Sequence, residues 1–336
     1  MCSGSSRCGE KLMVASLITS PPSRARKTLM MLLFSYSVAA ASEQVEAARG
    51  VISRVLSTSP LASSLLGAFD LELIGDGTVR APFKDTFEVS TSTEASVTTV
   101  HLRGTTGVAL ASSFYHYLRY FANGTVTWGQ DGSGVQLGAL QSGRQPLPAV
   151  AGGTVSVRSS SSVRYMYNYC TLSYSLAFAS AAEWQFQVDW MALHGINMPL
   201  AAVGTEHVLA KTYGPSGFGL TETELLDFFP GAAFLGWNRM SDMDGPWSGP
   251  LTAAWRKERA AIGNASYTQM RALGMQPILQ GFSGHVPCQL ARVLPGIKLA
   301  PRQHCAPHAT TRRPPAHRHA FRSTSRHAPV MLLRNL

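Results

Sequence analysis

The side chains of this 336-residue sequence best suited to grip a ligand lie where short apolar segments end. Asn168 and Cys170 close the segment Arg164 to Cys170, whose Tyr165, Tyr167 and Tyr169 favour a β-strand. Glu206 follows the apolar run Ile196 to Ala202, and His285 follows the segment Gln276 to Phe282. An amide exchanges hydrogen bonds with neutral polar groups, a carboxylate accepts them, and an imidazole titrates near neutrality. Trp237 and Met240 add an indole and a thioether, which pack on an apolar ligand face or fill a core. The bland alternatives are that Glu206 is paired or solvated and that His285 holds a turn. Asp242 and Asp244 lie in a Gly- and Pro-rich loop and read as structural.

These residues need a scaffold, and the pattern supplies one. Trp184, Val188, Met191 and Ala192 recur at helical spacing, Gly195 ends that helix, and Ile196 to Ala202 reads as a strand buried on both faces. Strand, helix and strand make one unit of a parallel βα barrel, whose active sites lie at the C-terminal strand ends. Three such units are predicted. They are strand Arg164 to Cys170 with helix Ala182 to His194, strand Ile196 to Ala202 with helical residues 205–228, and helix Leu251 to Leu273 before strand Gln276 to Phe282. Upstream, a helix from Glu43 to Leu56 precedes strands near Phe69 to Ile74, Thr86 to Ser90 and Val97 to Leu102. Gly104-Thr-Thr-Gly107 then opens a helix to about Phe121. That turn offers a helix N-terminus to an anion, but without a Lys or a full phosphate-loop pattern packing explains it better. The fold class is α/β: a small N-terminal α/β domain over 43–128, a linker over 129–162 rich in Gly, Ser and Pro, and an incomplete (β/α)8 TIM barrel over 163–298.

Several words in order resemble the alpha-N-acetylglucosaminidase family. They are Asn168-Tyr-Cys-Thr-Leu-Ser-Tyr-Ser, Asp189-Trp-Met-Ala-Leu-His-Gly-Ile-Asn, Phe228-Phe-Pro-Gly-Ala-Ala-Phe-Leu-Gly-Trp-Asn-Arg-Met240, Asp244-Gly-Pro, Arg271-Ala-Leu-Gly-Met-Gln-Pro-Ile-Leu and Gly281-Phe-Ser-Gly-His-Val-Pro287. His101-Leu-Arg-Gly-Thr-Thr-Gly-Val-Ala-Leu and Tyr115-His-Tyr-Leu-Arg-Tyr-Phe-Ala resemble the small domain before the family's barrel, so the likeness spans Glu43 to Lys298. The resemblance implies cofactor-independent, retaining removal of terminal α-linked N-acetylglucosamine from heparan-type glycans. It also implies that Asn168, Cys170, Trp237 and Met240 line the sugar pocket; Glu206 and His285, at the rim because they follow the second and third strands, rank below them. The family's two catalytic glutamates lie on later strands, and no Asp or Glu follows Glu258 in this sequence. The catalytic set is therefore expected to be empty and the chain inactive as written, since retention needs two carboxyl groups about 5–5.5 Å apart. A non-catalytic secreted carbohydrate-binding protein is the alternative. Ala177-Phe-Ala-Ser-Ala181 also departs from the family, which carries several tryptophans and an aspartate there.

Charge is concentrated at the ends. The net +10 arises from five basic residues against Glu10 in 1–42 and seven Arg without an acid in 299–336, while 43–298 holds 17 basic and 18 acidic residues. A near-neutral body argues against nucleic-acid binding. Residues 1–42 read as a leader: Arg24 to Lys27, an apolar run Leu29 to Val38, then small residues. That run is too short for a comfortable membrane span, so no stable membrane partner is expected. With sequons at Asn123 and Asn264 it implies the secretory pathway, lysosomal or extracellular. The Arg-, His- and Pro-rich residues 299–336 read as a disordered or mistranslated tail, a basic nucleic-acid arm being the rival. Its His304, Cys305 and His308 lack zinc-site spacing, so no metal is expected. Between leader and tail only Cys170 and Cys288 remain, and no disulfide framework is predicted.

Overall fold

A computed structural model describes residues 41–75, 84–129, 133–297 and 299. The expected leader, up to residue 40, and the expected tail, from residue 300, lie outside the described residues. Helical residues 41–56 (α1) bury Ala48, Val51, Ile52, Val55 and Leu56, the face set by their spacing. A four-stranded sheet follows, in the order β1-β3-β2-β6, from β1 (Phe69–Leu73), β2 (Thr86–Glu94), β3 (Val97–Gly104) and β6 (Val155–Arg158). Ala95 and Ser96, both at positive φ, make the tight turn between β2 and β3. Helix α2 (Gly107–Tyr120) begins with Thr106 accepting the Ala109 N–H at 3.0 Å and buries Leu110, Phe114, Tyr117 and Leu118. Phe69 meets Phe114 edge-on at 5.2 Å. Within the stretch expected as a linker, β5 (Val135–Gln136) pairs with β4 (Thr125–Val126), which precedes it, and β6 completes the first sheet's edge.

The barrel segment follows the predicted order with shorter strands. β7 (Tyr165–Met166) runs parallel to β8 (Met198–Pro199), and Leu200 bridges in parallel to Ile278. Three parallel segments thus lie side by side in an open sheet. The strand expected at 276–282 reduces to this one bridge, and Pro199 and Pro277, which have no N–H to donate, explain the thin ladder. The strand expected to run to Cys170 stops at Met166, because Tyr167 turns to φ 78° and Asn168 caps helix α3 (Tyr169–Ser173). Helix α4 (Ala181–Leu193) opens with a capping box between Ser180 and Glu183 and ends at Gly195, φ 76°. The remaining helices are α5 (Thr205–Tyr213), α6 (Glu222–Leu226), α7 (Leu235–Arg239), α8 (Ala253–Ala272) and α9 (Leu290–Val293). Cys288 is disulfide-bonded, while Cys170 is free.

One buried core runs from α1 through the first sheet to α4 and α8. At its seam the Asp189 carboxylate accepts two hydrogen bonds from Arg54, at 2.6 and 2.8 Å, and one from Gln269 at 2.6 Å. Burial pushes this carboxyl above the usual range, and Arg54 and Gln269 pull it back. The Gly104 to Gly107 turn serves packing: a Cβ on Gly107 would lie 2.9 Å from Leu273 O and 3.0 Å from Gln44 O. A second close approach joins α3 to α7. The Gly236 N–H donates to Ser173 Oγ, and a Cβ on Gly236 would lie 2.8 Å from that oxygen and 2.9 Å from Tyr169 O.

Asp189→Ala strands a guanidinium at the seam and should lower stability by roughly 2–3 kcal/mol in urea unfolding. This is below the cost of breaking a fully buried pair because the Arg54 side chain stays 36% exposed. Gly236→Ala forces α3 and α7 apart and should lower stability by about 1–3 kcal/mol. An unchanged unfolding midpoint in either variant would remove that contact from the account.

Candidate functional site

The predicted site residues come from separate parts of the chain and divide among α3, α7 and the partners that hold α7. Asn168 is exposed, and its Oδ1 accepts from the Thr171 N–H at 2.9 Å and the Thr171 hydroxyl at 3.1 Å. That cap leaves its NH2 group without a protein partner among the described residues. Cys170 is half-buried in the first turn of α3. These two residues therefore stand on a cap and a helix rather than on a strand end. Tyr167 before them is buried, its hydroxyl donating to Gln187 Oε1 at 3.0 Å, and this anchor holds a backbone conformation that non-glycine residues seldom adopt.

Trp237 and Met240 belong to α7 and its C-cap. Trp237 is half-buried, edge-on to Tyr174 with ring centroids 5.6 Å apart and tilted against Phe234 at 5.8 Å. Met240 is 40% exposed. Because Gly236 brings α3 against α7, the helices carrying Asn168, Cys170, Trp237 and Met240 form one packed unit.

Glu206 and His285 take different places. Glu206 is buried and accepts from Arg239 Nε at 2.8 Å, so it anchors α7 to the start of α5. His285 is buried against the Phe228 ring at 4.9 Å, and its Nε2 lies 2.5 Å from Asp244 Oδ1. Asn238 Nδ2 donates to Phe228 O at 3.1 Å, to Met243 O at 2.9 Å and to Asp244 Oδ1 at 3.3 Å. Both residues thus reach α7 through buried partners, Glu206 by the pairing that its bland alternative anticipates. Sequence reasoning missed Arg239 and Asn238, which make these anchors. Their position between Trp237 and Met240 was the available signal, since a charged and an amide residue inside an aromatic stretch require partners.

The four candidates on this unit, two exposed and two half-buried, are neutral: an amide, a thiol, an indole and a thioether, with the carboxylate of Asp242 exposed beside them. Such a surface suits an uncharged polar ligand with an apolar face, to which it offers stacking and hydrogen bonds. Among the described residues no group of three or more His, Cys, Asp or Glu could hold a metal ion, and no helix is long and apolar enough to cross a membrane. The His304, Cys305 and His308 cluster lies outside the described residues. Asn123, at φ 55°, and Asn264, on α8, are both exposed.

Two family descriptions match in sequence order: the alpha-N-acetylglucosaminidase (NAGLU) N-terminal domain over residues 46–149 and its tim-barrel domain over residues 164–320. The barrel match runs beyond Lys298, where the motif resemblance ends. Human alpha-N-acetylglucosaminidase is 36% identical over 273 residues, 80% of this chain and 34% of that protein. A family 89 glycoside hydrolase from Clostridium perfringens, in complexes with 2-acetamido-1,2-dideoxynojirmycin and with PUGNAc, superimposes with TM-score 0.64 at 28% identity. The bacterial enzyme with two Glu-to-Gln substitutions, bound to its substrate GlcNAc-alpha-1,4-galactose, gives TM-score 0.63 at 28% identity. These matches cover 76% of this chain and 26% of the bacterial one, so the chain spans about a third of its human relative and a quarter of its bacterial one. A small α/β domain joined to the first parallel segments of a barrel is the architecture that both domain matches describe, and the chain belongs to the alpha-N-acetylglucosaminidase family of glycoside hydrolases.

Proposed function

We propose that this chain carries the N-acetylglucosamine-binding face of a family barrel, with Asn168, Cys170, Trp237 and Met240 as the sugar subsite, and that the 336-residue polypeptide does not itself hydrolyse glycosides. The observation that carries the binding half is the α3–α7 unit, where one close approach at Gly236 brings together the helices of all four residues. A half-buried indole offers its face to the apolar side of a sugar ring, and the uncommitted Asn168 amide donates to a hydroxyl or acetamido oxygen. The bacterial relative's substrate, which carries a terminal GlcNAc, supports this ligand class.

The absence of hydrolysis follows from the carboxylates. Retention of configuration requires a nucleophile and an acid/base about 5–5.5 Å apart. Glu206 is occupied by Arg239, Asp244 lies against His285, and the sequence has no Asp or Glu after Glu258. Glycan chains ending in α-linked N-acetylglucosamine are the proposed partners. The signal-like leader and the exposed Asn123 and Asn264 sequons support a secretory route, lysosomal or extracellular.

Calorimetric titration of the purified chain with N-acetylglucosamine should show binding on the order of millimolar affinity. Trp237→Ala should weaken it about tenfold, in line with the loss of one stacking contact. A chromogenic α-glycoside of N-acetylglucosamine should not be cleaved above the buffer rate. Cleavage by the purified chain would overturn the inactive reading, and affinity unchanged in Trp237→Ala would overturn the subsite.

A further inference from the structure

We propose that a halide ion binds in a small cavity behind α3 and α7, held between the guanidinium groups of Arg239 and Arg259. The cavity has a volume of about 20 Å³, and its wall includes both arginines, Leu172 of α3, Trp184 of α4, Gly204 before α5 and Trp255 of α8. The side chains of Arg239 and Arg259 are only 6% and 9% exposed. Arg239 Nη1 and Arg259 Nε are buried and have no hydrogen-bond partner. An unpaired buried donor is costly, and more so on a charged group, so two of them on one cavity point to an acceptor between them.

Charge and size select its chemistry. Arg239 is balanced by the buried Glu206, whereas the carboxylate that Arg259 reaches, Glu258 at 3.2 Å, is 61% exposed and screened by solvent. The surroundings therefore hold more buried positive than negative charge. Glu206 Oε2 is also unpaired, but Glu206 is not part of the cavity wall, whose residues carry two unpaired side-chain donors. Two cationic donors favour a particle that accepts from both and carries negative charge, as a halide does, over a neutral water. About 20 Å³ accommodates one water-sized particle, which favours a monatomic anion over sulfate or phosphate. The Arg259 guanidinium is held in place by a hydrogen bond to Ala179 O and by the Trp255 ring, 5.4 Å from its centre. A halide here joins α7 to α8 by a charge-assisted bridge and stiffens the helices from behind, whether or not a sugar binds in front.

The test is a chloride titration of the full chain followed by quadrupolar NMR line broadening, with bromide as competitor and circular dichroism as the check on folding. Saturable broadening that bromide displaces, weakened about tenfold or more in Arg259→Gln, is the expected result. Broadening that is absent, or equal in the variant, overturns the proposal. Should Arg259→Gln not fold, crystals of the unaltered chain grown in bromide decide it. An anomalous peak within hydrogen-bonding reach of both guanidinium groups supports the site, and a water or no density there overturns it.

Discussion

The candidate site depends on the fixation of α7, a helix of five residues that is too short to be stable alone. It is held from three sides. Ser173 receives the Gly236 N–H, Glu206 receives Arg239, and Asn238 spans Phe228 O, Met243 O and Asp244, with His285 behind. Each anchor is buried and polar, so each fixes direction as well as distance. The side chains left facing outward, Trp237 and Met240, inherit their positions from these bonds.

The buried charges of this region serve the scaffold, while the exposed candidates are neutral. Glu206 pairs with Arg239 through one oxygen, and Asp244 pairs with His285. Removing one member of such a pair leaves its partner unpaired in a low-dielectric interior, which costs more than the pair is worth. The same logic holds at the seam with the N-terminal domain, where Asp189 is reached by α1 through Arg54 and by α8 through Gln269. The small domain therefore holds the first barrel helix through hydrogen bonds to the buried Asp189.

The elements most legible in the sequence are those with a long apolar period. The burial of α1, α2 and α4 follows the spacing of Val51, Phe114 and Val188, and the capping box of Ser180 and Glu183 marks a start that sequence alone displays. Strand lengths were not legible, because Pro199 and Pro277 thin the ladder and the left-handed turn at Tyr167 has no glycine to announce it. The structured part of 129–162 was hidden by its Gly, Ser and Pro content, although Val155 and Val157 alternate as an edge strand should. Within the site, the exposed residues came from motif resemblance, whereas the roles of Glu206 and His285 depended on partners such as Arg239, 33 residues from Glu206. Long-range pairing of that kind leaves no periodic trace.

Chemical-shift mapping of the full chain during titration with N-acetylglucosamine tests the central claim most directly, because it reads α3 and α7 at once. The account predicts that the Trp237 indole N–H and the Asn168 side-chain amide move together with one midpoint. Shifts confined to other indoles, such as Trp128 or Trp247, or movement of Trp237 without Asn168, would contradict a single site built on the α3–α7 unit.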